Sequence, residues 1–200
     1  MTYAIIGAGA VGPALAKMFA RKGIEVAIAS TRAPDALAPL VKAIGPTVTA
    51  VSLDEAVTAD IILLAVPFWA HRDVANAAAD WQGKIIIDVT NAYGVSPSDL
   101  GNLPSSAVIA KAFGAAMLVK AFNHLPAGVL AQAPTVDGGR RVIFLSSDKD
   151  SAIPVVSALV EQLGYAPVNL GALTEGGLLV QARGNSWGSL IFKDLFKKEN

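Results

Sequence analysis

Three glycines near the start of the chain have a spacing that suits phosphate binding. Gly7, Gly9 and Gly12 lie in the segment IIGAGAVGPALA, residues 5–16. With eighteen glycines in 200 residues, about 0.14 such triplets are expected by chance, so the pattern alone is weak. An apolar strand precedes it and an apolar helix follows, which is the context of a dinucleotide-binding turn. The alternative is a glycine-rich turn in an α/β protein that binds no ligand.

Each glycine has a distinct predicted role. Gly7 permits the tight turn, Gly9 lets the backbone approach a pyrophosphate, and Gly12 lets the helix pack closely on the strand. The pyrophosphate would accept backbone N–H bonds at the positive N-terminus of the helix. The residues predicted at this position are Gly7, Ala8, Gly9, Ala10, Val11 and Gly12.

The end of the second predicted strand indicates which dinucleotide is bound. An NAD site places a carboxylate there to hold the ribose hydroxyls, but this chain has Ser30, Thr31 and Arg32. Two hydroxyls and a guanidinium suit the 2′-phosphate of NADPH, with Arg32 also stacking on the adenine. The other interpretation is a helix N-cap before Pro34, and both can hold together.

The fourth predicted strand ends in Ala65, Val66 and Pro67, beside the glycine turn. Phe68 and Trp69 follow and could flank a nicotinamide, but an aromatic after a strand is as often core. His71 is interpreted as a solvated surface histidine on the first turn of a helix.

The fifth predicted strand ends at Asn91, which could bond the nicotinamide carboxamide or a ribose, or simply begin the following loop. Hydride transfer between nicotinamide and a flavin-like ring needs alignment and exclusion of water rather than acid–base groups. A carbonyl or imine substrate would need a proton donor as well. The candidates for that donor are His124, Tyr93 and Lys120, and His124 could equally be structural.

Short β-rich segments alternate with helix-length segments along the chain. This alternation predicts a Rossmann-type, doubly wound α/β fold with a mostly parallel sheet. Helices are expected around 11–22, 34–43, 53–58 and 69–80. Strands are expected at Tyr3–Ile6, Glu25–Ala29, Thr47–Ala50, Asp60–Val66, Lys84–Val89, Leu118–Ala121, Arg141–Leu145 and Ala166–Asn169.

Two regions interrupt the alternation. Residues 92–106 form a turn-rich loop, which is either functional or a long crossover. Residues 171–200 read as a C-terminal helical extension of the domain formed by 1–170, with Trp187, Ile191 and Leu195 on one helical face. That face either packs on the sheet or contributes to a homodimer.

The composition excludes several classes of function. Sixteen basic and sixteen acidic residues leave no net charge for a nucleic-acid or anionic-membrane partner. The absence of cysteine excludes disulfides, thiolate catalysis and cysteine-bound metals, and no metal site is predicted. No apolar run approaches 18 residues and no leader is evident at the N-terminus, so a cytoplasmic protein is expected.

Five segments together resemble a known family. GAGAVG, STR, AVP, DVTNAYG and VKAFNH occur in this order, with LGYAPVNLG further along. The chain resembles the coenzyme F420-dependent NADP oxidoreductase family, and it is similar to the NADPH-binding domain of the STEAP metalloreductases. The resemblance covers nearly all 200 residues.

The resemblance implies NADP(H) bound through Gly7–Gly12 and through Ser30, Thr31 and Arg32. Ala65–Pro67 and Asn91–Ala92 would pass near the nicotinamide. A deazaflavin (F420) or flavin (FMN or FAD) would lie over it, in a cleft walled by the Lys120–Pro126 turn and the C-terminal segment. The turn AFNHLP, residues 121–126, is closer to the metalloreductase turn, which leaves the acceptor open; Phe68, Trp69, Asn123 and His124 are the predicted pocket.

Three functions follow as hypotheses. The first is an oxidoreductase that passes hydride between NADPH and a flavin or deazaflavin. The second is an NADPH-dependent reductase of a small carbonyl or imine. The third is an NADP(H)-binding sensor without turnover.

Overall fold

A central β-sheet covered by helices on both faces forms the protein. The computed structural model describes residues 1–182 and 194–198. Short 3₁₀ turns lie at Pro34–Leu37 and Phe68–Ala70. The strands are β1 (Tyr3–Ile6), β2 (Val26–Ala29), β3 (Val48–Ala50), β4 (Ile61–Leu64), β5 (Ile85–Asp88), β6 (Met117–Ala121), β7 (Thr135–Val136), β8 (Gly139–Ser146), β9 (Ala166–Asn169) and β10 (Phe196–Lys198). The α-helices are α1 (Val11–Arg21), α2 (Ala38–Ile44), α3 (Leu53–Ala56), α4 (His71–Ala75), α5 (Ser105–Ala112), α6 (Ala127–Leu130), α7 (Ala152–Gln162) and α8 (Gly176–Leu179).

The sheet is doubly wound. Its strand order is β10-β8-β6-β5-β4-β1-β2-β3, and all neighbours from β3 to β6 are parallel. The chain winds outward in one direction from β1 through β2 to β3, then returns to the other side of β1 as β4. The carboxyl ends of β1 and β4 therefore flank the switch point where such sheets bind ligands. The predicted Rossmann-type fold is confirmed.

The apolar strand sequences are explained by burial on both faces. Every residue of β4 and of β5 is buried, as expected for parallel strands covered by helices on each side. One apolar cluster, which includes Phe19 of α1, packs on one face. A second cluster, which includes Trp81 and Phe113, packs on the other, where the two rings meet edge to face. The rigid sheet fixes the loops at its carboxyl edge.

The C-terminal part of the sheet reverses direction. β8 runs antiparallel to β6 and β10, and parallel to β9. Arg141 of β8 bonds both carboxylate oxygens of Asp194 at 3.0 Å, and its guanidinium lies 5.4 Å from the ring centre of Phe196. These contacts fasten the segment 194–198 to the sheet.

The predicted C-terminal helical face is corrected in part. Trp187 and Ile191 lie outside the described residues, but Leu195 directly precedes a strand, Phe196–Lys198, rather than continuing a helix. The antiparallel pairing with β8 determines this conformation. The boundary between 1–170 and 171–200 stays a prediction, as does the homodimer.

Other elements differ from expectation in length. The helix expected at 69–80 is a 3₁₀ turn followed by the short helix His71–Ala75. The turn-rich loop ends where α5 begins at Ser105. Across residues 1–182 and 194–198, no helix has the length and hydropathy that a membrane span requires.

Candidate active site

The glycine turn between β1 and α1 is built by close backbone packing. Gly7 has a φ of +121°, and a Cβ there would lie 2.2 Å from the carbonyl oxygen of Ala65. A Cβ on Gly12 would lie 1.8 Å from the carbonyl oxygen of Gly7. A Cβ on Gly9, by contrast, would meet nothing within 4 Å. Gly7 and Gly12 are therefore required by the fold, while Gly9 leaves space for a ligand.

The N-terminus of α1 has free hydrogen-bond donors. The helix begins at Val11, its N-cap is Ala10 with no side-chain cap, and its first turn contains no acidic residue. The first N–H groups of a helix have no partner within it and carry partial positive charge. An anion such as a pyrophosphate fits this position.

A first cleft of about 340 Å³ opens beside this turn. Ser30 accepts a hydrogen bond from the backbone N–H of Arg32 at 3.1 Å, which leaves the Ser30 hydroxyl hydrogen free to donate. Thr31 and Arg32 are exposed. The alternative N-cap interpretation is not realised, because Ala33 occupies the N-cap of the 3₁₀ turn. Residues from the predicted dinucleotide set line this cleft: Gly7, Ala8, Gly9, Ser30, Thr31, Arg32, Ala65, Val66 and Pro67.

Four further residues of the first cleft were not predicted. Leu53, Ala70 and Val74 supply an apolar surface, and Asp73 adds a carboxylate. These side chains come from α3, α4 and the 3₁₀ turn before α4, so a local motif could not reveal them. Apolar side chains and the Arg32 guanidinium in one cleft suit an adenine ring.

The aromatic residues after β4 do not form a nicotinamide pocket. Phe68 is buried in an apolar core cluster, and Trp69 is 70% exposed. The prediction that His71 is a solvated surface residue is wrong. His71 is buried, its Nδ1 contacts the Phe68 carbonyl oxygen, and its ring lies 5.0 Å from that of Phe68. The short α4 turns this residue inward.

A second cleft of about 390 Å³ is lined in part by Val11, the first residue of α1. Gly9, which lines the first cleft, lies two residues earlier in the chain. Each cleft therefore has a lining residue near the N-terminus of α1. The lining residues are Val11, Val89, Asn91, Tyr93, Phe122, Asn123, His124, Leu125, Pro126 and Ala127.

A buried ion pair lies at the carboxyl ends of β5 and β6. Asp88 and Lys120 are register partners, and their charged atoms are 3.0 Å apart. Asp88 also accepts hydrogen bonds from Ser106 Oγ at 2.7 Å and from Thr90 N at 2.8 Å. Lys120 Nζ donates to the Thr90 carbonyl oxygen. Hydrogen bonds from Ser106 of α5 and from Lys120 of β6 therefore hold the end of β5 and the turn after it.

Two amide side chains link the same turns closer to the cleft. Asn123 Nδ2 donates to Asn91 Oδ1 at 3.0 Å and to the Val180 carbonyl oxygen at 2.7 Å. Asn91 Nδ2 donates to the Asn123 carbonyl oxygen at 2.9 Å. Phe122, just before, has a φ of +62°, a strained conformation for an aromatic residue. The predicted pair Asn91 and Asn123 is thus brought together, with Ala92 directly after.

His124 lies in the second cleft but is poorly suited to donate a proton. It is buried, with Nε2 3.1 Å from the Val142 carbonyl oxygen and its ring 5.0 Å from that of Phe144. Burial lowers the pKa of His124 to about 4, although the bond to Val142 opposes the shift. The ring is therefore neutral at pH 7, and its one N–H is already donated.

The other two proton-donor candidates differ in access. Lys120 is fully buried against Asp88, and burial lowers its pKa while Asp88 opposes the shift. Tyr93 lines the second cleft and is 51% exposed. Tyr93 is therefore the accessible candidate among the three. In the described part of the chain, no group of three or more His, Cys, Asp or Glu could hold a metal ion.

The sequence has a recognisable family signature. Residues 2–92 match the sequence profile described as NADP oxidoreductase, coenzyme F420-dependent. This span covers β1 through β5 and the glycine turn. A search of curated proteins finds no match.

Several solved structures are similar over most of the chain. The hypothetical protein SMa0349 of Sinorhizobium meliloti is 38% identical, with 100% of this chain and 96% of that chain covered and a TM-score of 0.89. An Arthrobacter sp. FB24 protein assigned as an F420-dependent NADP reductase is 24% identical, with 96% and 90% covered and a TM-score of 0.72. A reductive aminase of Aspergillus terreus, in complex with NADPH and ethyl levulinate, is 20% identical, with 86% and 55% covered and a TM-score of 0.63. The last two show a shared fold.

Proposed function

Because this chain belongs to the coenzyme F420-dependent NADP oxidoreductase family, we propose that it transfers a hydride between NADP(H) and a flavin or deazaflavin. The family resemblance expected from the glycine, STR, AVP and DVTN segments is confirmed, since all four lie within the matched residues 2–92. So is the prediction of an NADP-dependent oxidoreductase. The acceptor and the residues that serve it are the proposal.

Each cleft would bind a different part of the cofactor. In the first, Arg32, Thr31 and the free hydroxyl hydrogen of Ser30 would hold the 2′-phosphate. The N-terminus of α1 would hold the pyrophosphate. The nicotinamide would then enter the second cleft past Val11. NADPH supplies the hydride, and the chain supplies orientation and exclusion of water.

The chemistry of His124 supports a hydride acceptor that needs no proton from the protein. Its pKa of about 4 leaves it neutral, and its N–H is donated to Val142. A flavin ring accepts a hydride at N5 and a deazaflavin ring at C5, in neither case with a protein proton donor at the reacting atom. The mostly apolar lining from Val89, Phe122 and Leu125 suits a flat aromatic ring.

NADPH oxidation followed by absorbance tests the proposal. Deazaflavin, FMN and FAD are offered separately, with NADH in parallel as the cofactor control. We expect turnover with at least one of these acceptors and a clear preference for NADPH. Tight NADPH binding without oxidation by any of them would contradict the proposal and leave a carbonyl or imine reductase or a sensor.

Reduction of a small carbonyl or imine is the second candidate, favoured by the exposed phenol of Tyr93 in the second cleft. A carbonyl reductase needs a proton donor, and the phenol is the accessible one. Tyr93→Phe separates the two functions. It should abolish turnover of a carbonyl or imine but leave flavin reduction nearly unchanged.

We further propose a cytoplasmic homodimer. A second copy would widen the binding surface available to the acceptor at the open second cleft. Sedimentation of the protein at micromolar concentration tests the assembly. A mass of one chain at that concentration would remove the dimer from the proposal.

A further inference from the structure

One face of α4 borders the first cleft. Ala70, Asp73 and Val74 all line this cleft, and their spacing of three and four residues makes them neighbours on one side of a helix. The backbone at Ala70, the N-cap of α4, is already helical, so the three residues belong to one continuous turn. Arg72, which lies between them in the chain, is exposed and is not one of the lining residues. The Asp73 side chain therefore lies on the face of α4 that borders the cleft.

The Asp73 carboxylate is accessible to a ligand. Asp73 is exposed, and it is the one acidic residue among the described residues that line the first cleft. Within residues 1–182 and 194–198 it forms no hydrogen bond and no ion pair. It does not pair even with Arg32, although both line the same cleft. Its oxygens are therefore acceptors that a bound molecule can use.

The chemistry of a carboxylate restricts which part of the cofactor it can contact. A carboxylate accepts hydrogen bonds and donates none, so it suits a group with N–H or O–H bonds. Adenosine 2′-phosphate, the half of NADP(H) proposed for this cleft, offers two: the 6-amino group of adenine and the 3′-hydroxyl of ribose. The 3′-hydroxyl adjoins the 2′-phosphate, whose negative charge repels a carboxylate. The 6-amino group, on the opposite edge of the base, is the more favourable donor.

The residues around Asp73 also suit the base. Ala70 and Val74 are apolar residues of the same helix face, and Leu53 of α3 adds a third apolar side chain to this cleft. A flat aromatic ring packs well on such a surface, and one polar side chain at its edge fixes its orientation. A base that lies on Ala70 and Val74 brings one edge to Asp73, since the three residues are neighbours on the helix.

We propose that Asp73 selects adenine as the base of the cofactor, with its carboxylate accepting a hydrogen bond from the 6-amino group. This inference rests on the proposed binding of the adenosine half of NADP(H) in the first cleft, and it does not depend on the acceptor. A base with a carbonyl oxygen at position 6, such as hypoxanthine, would place two acceptors against each other, which is unfavourable. The protein should therefore distinguish the two bases.

Direct titration of two cofactors, with no acceptor present, tests this inference. The probes are NADP⁺ and nicotinamide hypoxanthine dinucleotide phosphate, in which a carbonyl oxygen replaces the 6-amino group. We expect NADP⁺ to bind to the wild-type protein about tenfold more tightly or better, as for the loss of a hydrogen bond to a charged group. Equal affinities would overturn the inference. Failure of the proposed function would instead appear as no turnover of any flavin or deazaflavin, with this affinity ratio still intact.

Asp73→Asn is the matched variant. Its amide has nearly the same size and offers either an oxygen to the amino group or an NH₂ group to the carbonyl oxygen. The affinity ratio should therefore fall several-fold towards one. Asp54→Asn removes another exposed carboxylate, next to Leu53 in α3, and should keep the wild-type ratio. An Asp73→Asn protein that binds both cofactors more weakly but keeps the wild-type ratio would show that Asp73 does not contact the amino group.

Discussion

Asp88 and Lys120 form an ion pair of 3.0 Å across the ends of β5 and β6, with both side chains fully buried. Three residues further along the chain from each, beyond the ends of β5 and β6, Asn91 and Asn123 form the amide pair at the second cleft. Two pairs of side chains therefore link the same two chain segments. The ion pair is buried away from water, whereas the amide pair lines the second cleft.

Lys120→Met should destabilise the protein by about 3–5 kcal/mol. The change leaves the Asp88 carboxylate buried without its cation, which is far more unfavourable than losing a surface pair. Denaturation by urea measures the free energy of unfolding. Lys111→Met, at an exposed position of α5, is the control and should change it by less than about 0.5 kcal/mol.

A double variant tests whether the uncompensated Asp88 charge causes the loss of stability. Adding Asp88→Asn to Lys120→Met removes the uncompensated charge and should restore part of the lost stability. A Lys120→Met protein as stable as the wild type would show that the pair does not hold the turn.

His124 should make stability depend on pH below neutrality. Its folded pKa of about 4 lies below the ordinary histidine pKa of 6.5. Above pH 6.5 the ring is neutral in both states, so there is no effect. Below pH 6.5 the unfolded chain binds a proton that the folded chain refuses, so stability falls as pH falls towards 4. At pH 5 the loss should be about 2 kcal/mol.

Comparison with His124→Phe isolates this contribution. The unfolding free energy of each protein is measured at pH 7.5 and at pH 5. Subtracting the change in the variant from the change in the wild type removes the contribution of the carboxyl groups, which both proteins share. The wild type should lose about 2 kcal/mol more than the variant over this range. Parallel pH curves for the two proteins would show that His124 titrates normally.

Gly9→Ala should separate binding from folding. Alanine fits the backbone there, and its Cβ meets nothing within 4 Å, so stability should change little. The added methyl group nonetheless occupies space in the first cleft beside α1. NADPH affinity should fall about tenfold or more, as measured by titration.

Gly12→Ala should instead damage the fold. Its Cβ would overlap the Gly7 backbone, which cannot move independently of β1. We expect a loss of at least about 1–3 kcal/mol in unfolding free energy. Gly128→Ala, at an exposed and uncrowded position of α6, is the control and should be neutral or stabilising by up to about 1 kcal/mol. Equal effects at the two sites would contradict the packing role of Gly12.

Arg32→Ala should reduce the preference for NADPH over NADH. A charge-assisted hydrogen bond contributes about 1.5–3 kcal/mol, so the affinity ratio should fall by about tenfold or more. NADH affinity itself should change little. Arg72→Ala replaces another exposed arginine and should leave the ratio unchanged. An unaltered ratio in Arg32→Ala would disprove the 2′-phosphate assignment.

Much of the fold could be predicted from local sequence. β1 and β9 have the predicted bounds, and the other parallel strands differ by one or two residues at an end. Apolar runs of this length are typical of buried parallel strands. The glycine turn was predictable because the spacing of Gly7, Gly9 and Gly12 is local, and Gly12 meets its steric demand, the Gly7 carbonyl, within one βα unit.

Features created by distant segments could not be predicted. Asp73 and Leu53 reach one cleft only after the sheet has assembled. His71 is buried because α4 turns it against Phe68. The strand β10 depends on its pairing with β8 and on the Arg141–Asp194 ion pair. The helical pattern of the C-terminal sequence indicated neither contact.

β1 is synthesised before β2 and β4, yet it lies inside the sheet, between these two strands. Its second edge stays unpaired until residues 61–64 have been synthesised. Each pairing from β1 to β6 also closes a long crossover loop, which slows folding relative to hairpins. The Ala65 carbonyl that packs on Gly7 arrives at the same moment. Synthesis of β4 therefore both closes the vulnerable edge and completes the dinucleotide turn.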